Sequence, residues 1–195
     1  MRREEVGEAM SEVLTAPVQA GPAYTGVARS LHWVTAAMVL TIIPVGLIMA
    51  NIEQSPLKDT LYHVHRSLGI ILIPVVFYRL YYRGTHRPRP LPADIPELQR
   101  FVANSVHHLL YLLLVVQPII GWVATSAYRA PILFFGTFEV PPIWPENRAL
   151  SEQLFTVHRI IGIVMAALLV AHIGGAIYHH FIRRDRVLLR MVTGD

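Results

Sequence analysis

The chain alternates long apolar runs with short polar or proline-rich segments, and the pattern occurs four times. Residues 30–51, 61–82, 104–127 and 154–182 are each apolar enough and long enough to cross a bilayer as a helix, which takes about 20 residues at about 1.5 Å rise each. None of these runs alternates with the two-residue period of a lipid-facing strand, and an open sheet in lipid would leave backbone groups unpaired. The pattern predicts an all-α integral membrane four-helix bundle. Residues 1–23 hold no uninterrupted apolar stretch and read as a polar tail, so the first span itself serves as the export signal. The predicted organisation is a flexible cytoplasmic tail over 1–24, a four-span domain over 25–183 and a cytoplasmic C-terminal tail over 184–195.

Composition agrees with lipid as the solvent. Only 15% of the residues are charged and 53% are hydrophobic, against about 25% charged in soluble domains. The chain has no cysteine, which excludes disulfides, thiolate metal sites, iron–sulfur clusters and thioether-attached haem. The net charge of +4 does not indicate nucleic acid, because the basic residues sit at the ends of the apolar runs instead of on one polar face.

Their distribution predicts the orientation. Arg2, Arg3, Arg29, Arg79, Arg83, Arg87, Arg89, Arg100, Arg183, Arg184, Arg186 and Arg190 fall on one side, while Lys58, Arg66, Arg129, Arg148 and Arg159 fall on the other. The positive-inside bias places both termini in the cytoplasm of a multi-pass protein of the bacterial inner membrane. Residues 87–96 then form a stiff proline-rich cytoplasmic connection. Residues 128–153 form the longest extracytoplasmic loop, suited to a lid or docking surface. The arginines and aliphatic residues of 183–192 suit either a short helix on the inner leaflet or a solvated end.

The chain has ten histidines, and His32, His65, His107, His108, His158, His172 and His179 fall within or just inside the spans. Ionisable residues in a membrane are costly and face the bundle interior for a purpose. His158 and His172 are 14 residues apart, which is about 21 Å along the axis on nearly the same face. One zinc ion needs its ligands within a few ångströms, so this pair serves two centres. Two stacked haems, each held by imidazoles from facing helices, match that spacing.

A flat macrocycle needs small side chains beside its ligands. Four residues after His32, His65, His158 and His172 stand Ala36, Gly69, Gly162 and Ala176, whereas the same offset from His107, His108 and His179 gives Tyr111, Leu112 and Arg183. The segment Val64-His65-Arg66-Ser67-Leu68-Gly69 is echoed by Val157-His158-Arg159-Ile160-Ile161-Gly162. These observations pair His65 with His158 on the extracytoplasmic side and His32 with His172 on the cytoplasmic side. Counted from the flanking arginines, His32 and His172 differ in depth by about 12 Å, which leaves His179 as a rival partner for His32. His63 points about 200° away from His65 and reads as a surface residue. Arg79 lies on the face of His65 at the cytoplasmic level, where it pairs with a haem propionate or snorkels to the interface. Arg66 and Arg159 adjoin the outer histidines and offer propionate contacts or an anion-attracting mouth.

With Ser30-Leu31-His32-Trp33, His65-Arg66-Ser67-Leu68-Gly69, His107 with Tyr111, Pro118-Ile119-Ile120-Gly121, and His158 followed by His172 and His179-His180-Phe181, the chain from residue 24 onward resembles the bacterial cytochrome b561 family. These are small di-haem membrane proteins related to the haem-bearing subunits of nickel hydrogenases and formate dehydrogenases. The resemblance implies two haem b groups, one on His32 and His172 and one on His65 and His158. It also implies, by analogy with members described as superoxide oxidases, an extracytoplasmic electron donor such as superoxide and a ubiquinone acceptor near His179.

The leading expectation is therefore a di-haem b electron-transfer protein linking an extracytoplasmic donor to the ubiquinone pool, with superoxide:ubiquinone oxidoreductase-like activity. A second is an electron-carrier subunit for a separate extracytoplasmic redox partner docked on residues 128–153. A histidine-lined metal transporter is a third, disfavoured because acidic residues such as Glu53, Asp59, Glu97 and Glu139 lie outside the spans. Besides lipid, the expected partners are quinone and that redox donor, with no nucleic acid.

Overall fold

The computed structural model describes residues 23–90 and 95–194. The tail expected over 1–24 and the middle of the proline-rich connection lie mostly outside the described residues. Four long helices dominate: α1 (Gly26–Asn51), α2 (Pro56–Thr85), α3 (Glu97–Tyr128) and α4 (Arg148–Ile177). A two-stranded antiparallel hairpin, β1 (Ile132–Phe134) and β2 (Phe138–Val140), separates α3 from α4. After α4 the chain makes a π-helical turn over Tyr178–Arg183 and closes with a short α5 (Leu189–Val192). The fold is an integral membrane four-helix bundle.

Each helix begins four to seven residues before the apolar run that predicted it, and polar side chains cap three of the four starts. The side chains of Thr25, Ser55 and Asn147 accept from the backbone N–H of Ala28, Lys58 and Leu150, each cap contributing about 1 kcal/mol. The apolar windows of the four helices have mean hydropathies of 2.1, 1.4, 1.8 and 2.4, yet at most 28% of any window is buried inside the protein. Leu40, Leu47, Ile163, Val164 and Val170 all point outward. Water would not tolerate this surface, and lipid does. Pro44, Pro74 and Pro118 stand inside helices, as membrane helices permit.

The buried core is small and lies in the middle of the bundle, where Val39, Leu72, Val76, Leu114 and Met165 pack together. Above and below it are the histidines. α1 packs on α2, α2 on α3 and α3 on α4, while His32 and His172 bring α1 toward α4.

The end that carries β1 and β2 is called here the loop end, and the opposite one the terminal end. At the loop end the β-hairpin is pinned to α2: Arg66 Nη1 donates to the carbonyl of Pro131 at 3.0 Å, and the backbone N–H of Phe135 donates to Ser67 Oγ at 2.7 Å. Phe135 and Gly136 take positive φ in the turn, where glycine relieves the strain at the second position. At the terminal end the C-terminal segment folds back over the start of α1. Ala23 N–H donates to Gly194 O, Arg29 to Val192 O and Trp33 Nε1 to Met191 O. The buried Arg190 guanidinium donates to the carbonyls of Arg89 and Pro90. The segment expected to lie on the leaflet or hang in solvent therefore packs on the protein, because its arginine finds backbone acceptors there. His63, expected at the surface, is half-buried with its Nδ1 shielded.

Candidate functional site: two facing imidazole pairs

At the loop end, His65 on α2 reaches across to α1 and His158 on α4 reaches across to α3. His65 Nδ1 lies 3.1 Å from the carbonyl oxygen of Ile42, and His158 Nδ1 lies 3.2 Å from that of Gln117. A carbonyl only accepts, so Nδ1 carries the proton in both rings and Nε2 keeps its lone pair. Each ring rests on a glycine one turn beyond the carbonyl it bonds. A Cβ built on Gly46 would stand 2.9 Å from His65 Cε1, and one on Gly121 would stand 3.0 Å from His158 Cε1. The two glycines thus open the helix surfaces on which the imidazoles lie. The ring centroids are 6.0 Å apart with planes crossed at 77°.

The two glycines expected to admit a macrocycle behave differently. A Cβ at Gly69 would meet nothing within 4 Å, whereas one at Gly162 would meet Gln117 Nε2 at 3.3 Å. That amide donates to the carbonyl of His158 at 2.7 Å, so Gly162 makes room for Gln117.

At the terminal end, His32 on α1 and His172 on α4 face each other with centroids 6.2 Å apart and planes at 61°. The depth difference counted along the sequence is absorbed by the fold-back. Beyond α4 the chain runs on through the π-helical turn to Arg183 before the carbonyls of Met191 and Val192 return to Trp33 and Arg29. His179, the rival partner, is instead bonded by Nδ1 to Asp185 Oδ2 at 2.6 Å inside the π-helical turn.

Arg79 reaches the level expected of it but meets an imidazole: its Nη2 lies 2.9 Å from His32 Nδ1. A guanidinium only donates, so in this arrangement His32 Nδ1 accepts. Arg79 and Arg83 also sit over the ring of Tyr111, at 5.1 and 5.3 Å from its centroid. Arg66 is held by Pro131 and the Tyr62 ring, while Arg159 is exposed.

Two further residues escaped the sequence reading. His107, set aside because Tyr111 follows it, has its ring centroid 5.0 Å from that of His172. Asp185 accepts from His179, from Arg183 Nε at 3.0 Å and from the Val187 N–H at 3.0 Å. Its burial pushes the carboxyl upward, but the bonds from His179, Val187 and Arg183 outweigh that and hold it below the usual carboxylate range.

Both facing pairs fit bis-imidazole iron in their separation, and at the loop end the tautomers fit it as well. Two nitrogens each about 2 Å from one metal set ring centroids about 6 Å apart, and both facing pairs show that separation. Among the described residues no three His, Asp or Glu side chains converge on a point that would hold a bare metal ion. A macrocycle that needs only two axial ligands fits, whereas a tetrahedral zinc site does not.

A family profile described as Prokaryotic cytochrome b561 matches residues 23–194. The chain belongs to the prokaryotic cytochrome b561 family. "Cytochrome b561 homolog 2" of Escherichia coli (strain K12) is 32% identical over 174 residues, covering 87% of this chain and 90% of the relative. "Cytochrome b561 homolog 1" of the same organism is 27% identical over 163 residues, covering 83% and 92%. "Probable superoxide oxidase CybB" of Yersinia pestis is 23% identical over 177 residues, covering 87% and 95%. With four membrane helices and this membership, the chain is a multi-pass cytochrome b561 of the bacterial inner membrane that serves haem b electron transport.

Proposed function

We propose that the chain carries two haem b groups and passes electrons from an extracytoplasmic donor to ubiquinone, with superoxide as the donor and both termini in the cytoplasm. The observation that carries this reading is the pair of facing imidazole sets, 6.0 and 6.2 Å between centroids, at opposite ends of the bundle. Haem b supplies one-electron chemistry when bound. His65 and His158 would hold one group at the loop end, and His32 and His172 the other at the terminal end. The Ile42 and Gln117 carbonyls hold the loop-end imidazoles in the tautomer that presents Nε2 to a metal. His32 reaches the same tautomer once Arg79 leaves its Nδ1 for another acceptor, and a haem propionate is the acceptor whose charge suits it.

Arg66 and Arg159 add positive charge at the loop end, which raises the local concentration of an anionic donor. The relative described as a probable superoxide oxidase supports superoxide in that role. At the terminal end, Asp185 holds the Nδ1 proton of His179 and leaves Nε2 as the atom that exchanges a proton with quinone.

Haem content of the detergent-purified chain tests the reading. Two b haems per chain are expected, with one lost in each of His65→Ala and His172→Ala. A wild-type stoichiometry of one or none would overturn it. Superoxide added with ubiquinone is expected to yield quinol above the spontaneous background. Reduction only by a separate protein donor would replace superoxide with such a partner.

A further inference from the structure

The bundle is built from two helical hairpins in one register. In α1, His32 stands 14 residues before Gly46, and in α3, His107 stands 14 residues before Gly121. In α2, Arg79 stands 14 residues after His65, and in α4, His172 stands 14 residues after His158. The contacts repeat with the register. His65 Nδ1 bonds the carbonyl four residues before Gly46, and His158 Nδ1 bonds the carbonyl four residues before Gly121. At the other end of each hairpin, Arg79 touches His32 and His172 touches His107. The loop-end pair therefore occupies equivalent positions in the two hairpins, and the terminal-end pair does not. His32 comes from the first helix of its hairpin and His172 from the second.

This leaves His107 as the residue equivalent to His32, packed against the other imidazole of the same pair. Its ring meets that of His172 at 5.0 Å between centroids and 73° between planes. That separation is too short for a metal between them, which needs about 6 Å, so His107 is a neighbour of His172 and not its trans partner. The other three facing imidazoles each have a hydrogen bond at Nδ1, from or to Ile42, Gln117 or Arg79. His172 instead has the His107 ring packed against its own. Tyr111, one turn along α3, sits beneath the guanidiniums of Arg79 and Arg83 and anchors the same layer.

We infer that His107 is a positioning residue for His172, its ring fixing the plane of the His172 imidazole by edge-to-face contact. The inference rests on the reading of His172 as an axial ligand. In it, α3 supports both imidazoles of α4, His158 through the Gln117 carbonyl and His172 through the His107 ring.

The test uses full-length protein in detergent, with low-temperature EPR and optical redox titration of wild type, H107A and H107F beside H65A and H172A. H107A is expected to displace the low-spin signal and midpoint potential of the haem that H172A loses. It should also weaken retention of that haem on the order of tenfold, and leave unchanged the haem that H65A loses. H107F, which keeps a ring against His172, is expected to restore the wild-type EPR position. Both haems unchanged in H107A, both displaced alike, or an H107F signal that stays displaced would each overturn the inference. If H107A binds no haem, H107F alone decides by the position of the same signal. A wild type with one haem, or an H172A variant that keeps two, would instead overturn the ligand reading itself.

Discussion

His158 and Gln117 bind each other twice. The imidazole Nδ1 donates to the Gln117 carbonyl at 3.2 Å, and the Gln117 side-chain amide donates to the His158 carbonyl at 2.7 Å. The reciprocal pair locks α3 to α4 beside Gly121 and Gly162, and it fixes which ring nitrogen faces the bundle axis. His65 has only the first half of this arrangement, through Ile42, so the two loop-end imidazoles are held with unequal stiffness.

Gly46→Ala and Gly121→Ala each drive a methyl to about 3 Å from a ring whose Nδ1 is already bonded. Neither ring has slack to retreat without breaking that bond. Each variant should cost about 1–3 kcal/mol in stability and lose the loop-end haem while keeping the other. Pyridine haemochrome stoichiometry beside a thermal melt checks this, and full retention of two haems in both variants would contradict it.

Ser67 is fully buried and accepts the N–H of Phe135 from the β-hairpin. Ser67→Ala strands that donor, at a cost of about 1–3 kcal/mol. Amides over residues 131–140 should then exchange faster with deuterium, with little change on α3.

Asp185→Asn removes the charged acceptor shared by His179, Arg183 and Val187. The wild-type carboxyl titrates lower folded than unfolded, so its contribution to stability is fully present above the unfolded value of about 3.9. That contribution is lost as pH falls through the lower folded value. Wild type should therefore be more stable than Asp185→Asn near pH 7, and the gap should close in acid, as the pH falls below the unfolded value. Melting temperatures of the two proteins across that range would show it; a gap independent of pH would count against the assignment.

Arg190→Ala deletes the donors to the Arg89 and Pro90 carbonyls. The C-terminal segment should open, and limited proteolysis from the terminal end should cut near residue 190 faster than in wild type. Haem content should not change, because no facing histidine touches this arginine.

Much of this architecture was legible beforehand. The four spans follow from apolar run length, and helical periodicity with the small residues one turn on pairs His65 with His158; for His32 the same reading left His179 beside His172, and the family resemblance chose between them. Gly46 carried a readable signal too, since it stands as far beyond His32 as Gly121 stands beyond His107. The significance of that match depends on knowing that α1 meets α2 as α3 meets α4. Tyr111 misdirected the reading of His107: a bulky neighbour argued against a macrocycle there, whereas it supports two guanidiniums.

By itself the sequence determined the solvent, the number of spans and the face of each helix that carries imidazoles, because run length and a 3.6-residue period are properties of one segment at a time. Only the tertiary structure decided which groups those imidazoles touch. Arg79 on His32, Asp185 on His179, the carbonyls under His65 and His158, and the C-terminal segment on α1 are contacts between separate elements. Their partners are set by how the helices pack and where the chain folds back, and no local period records that.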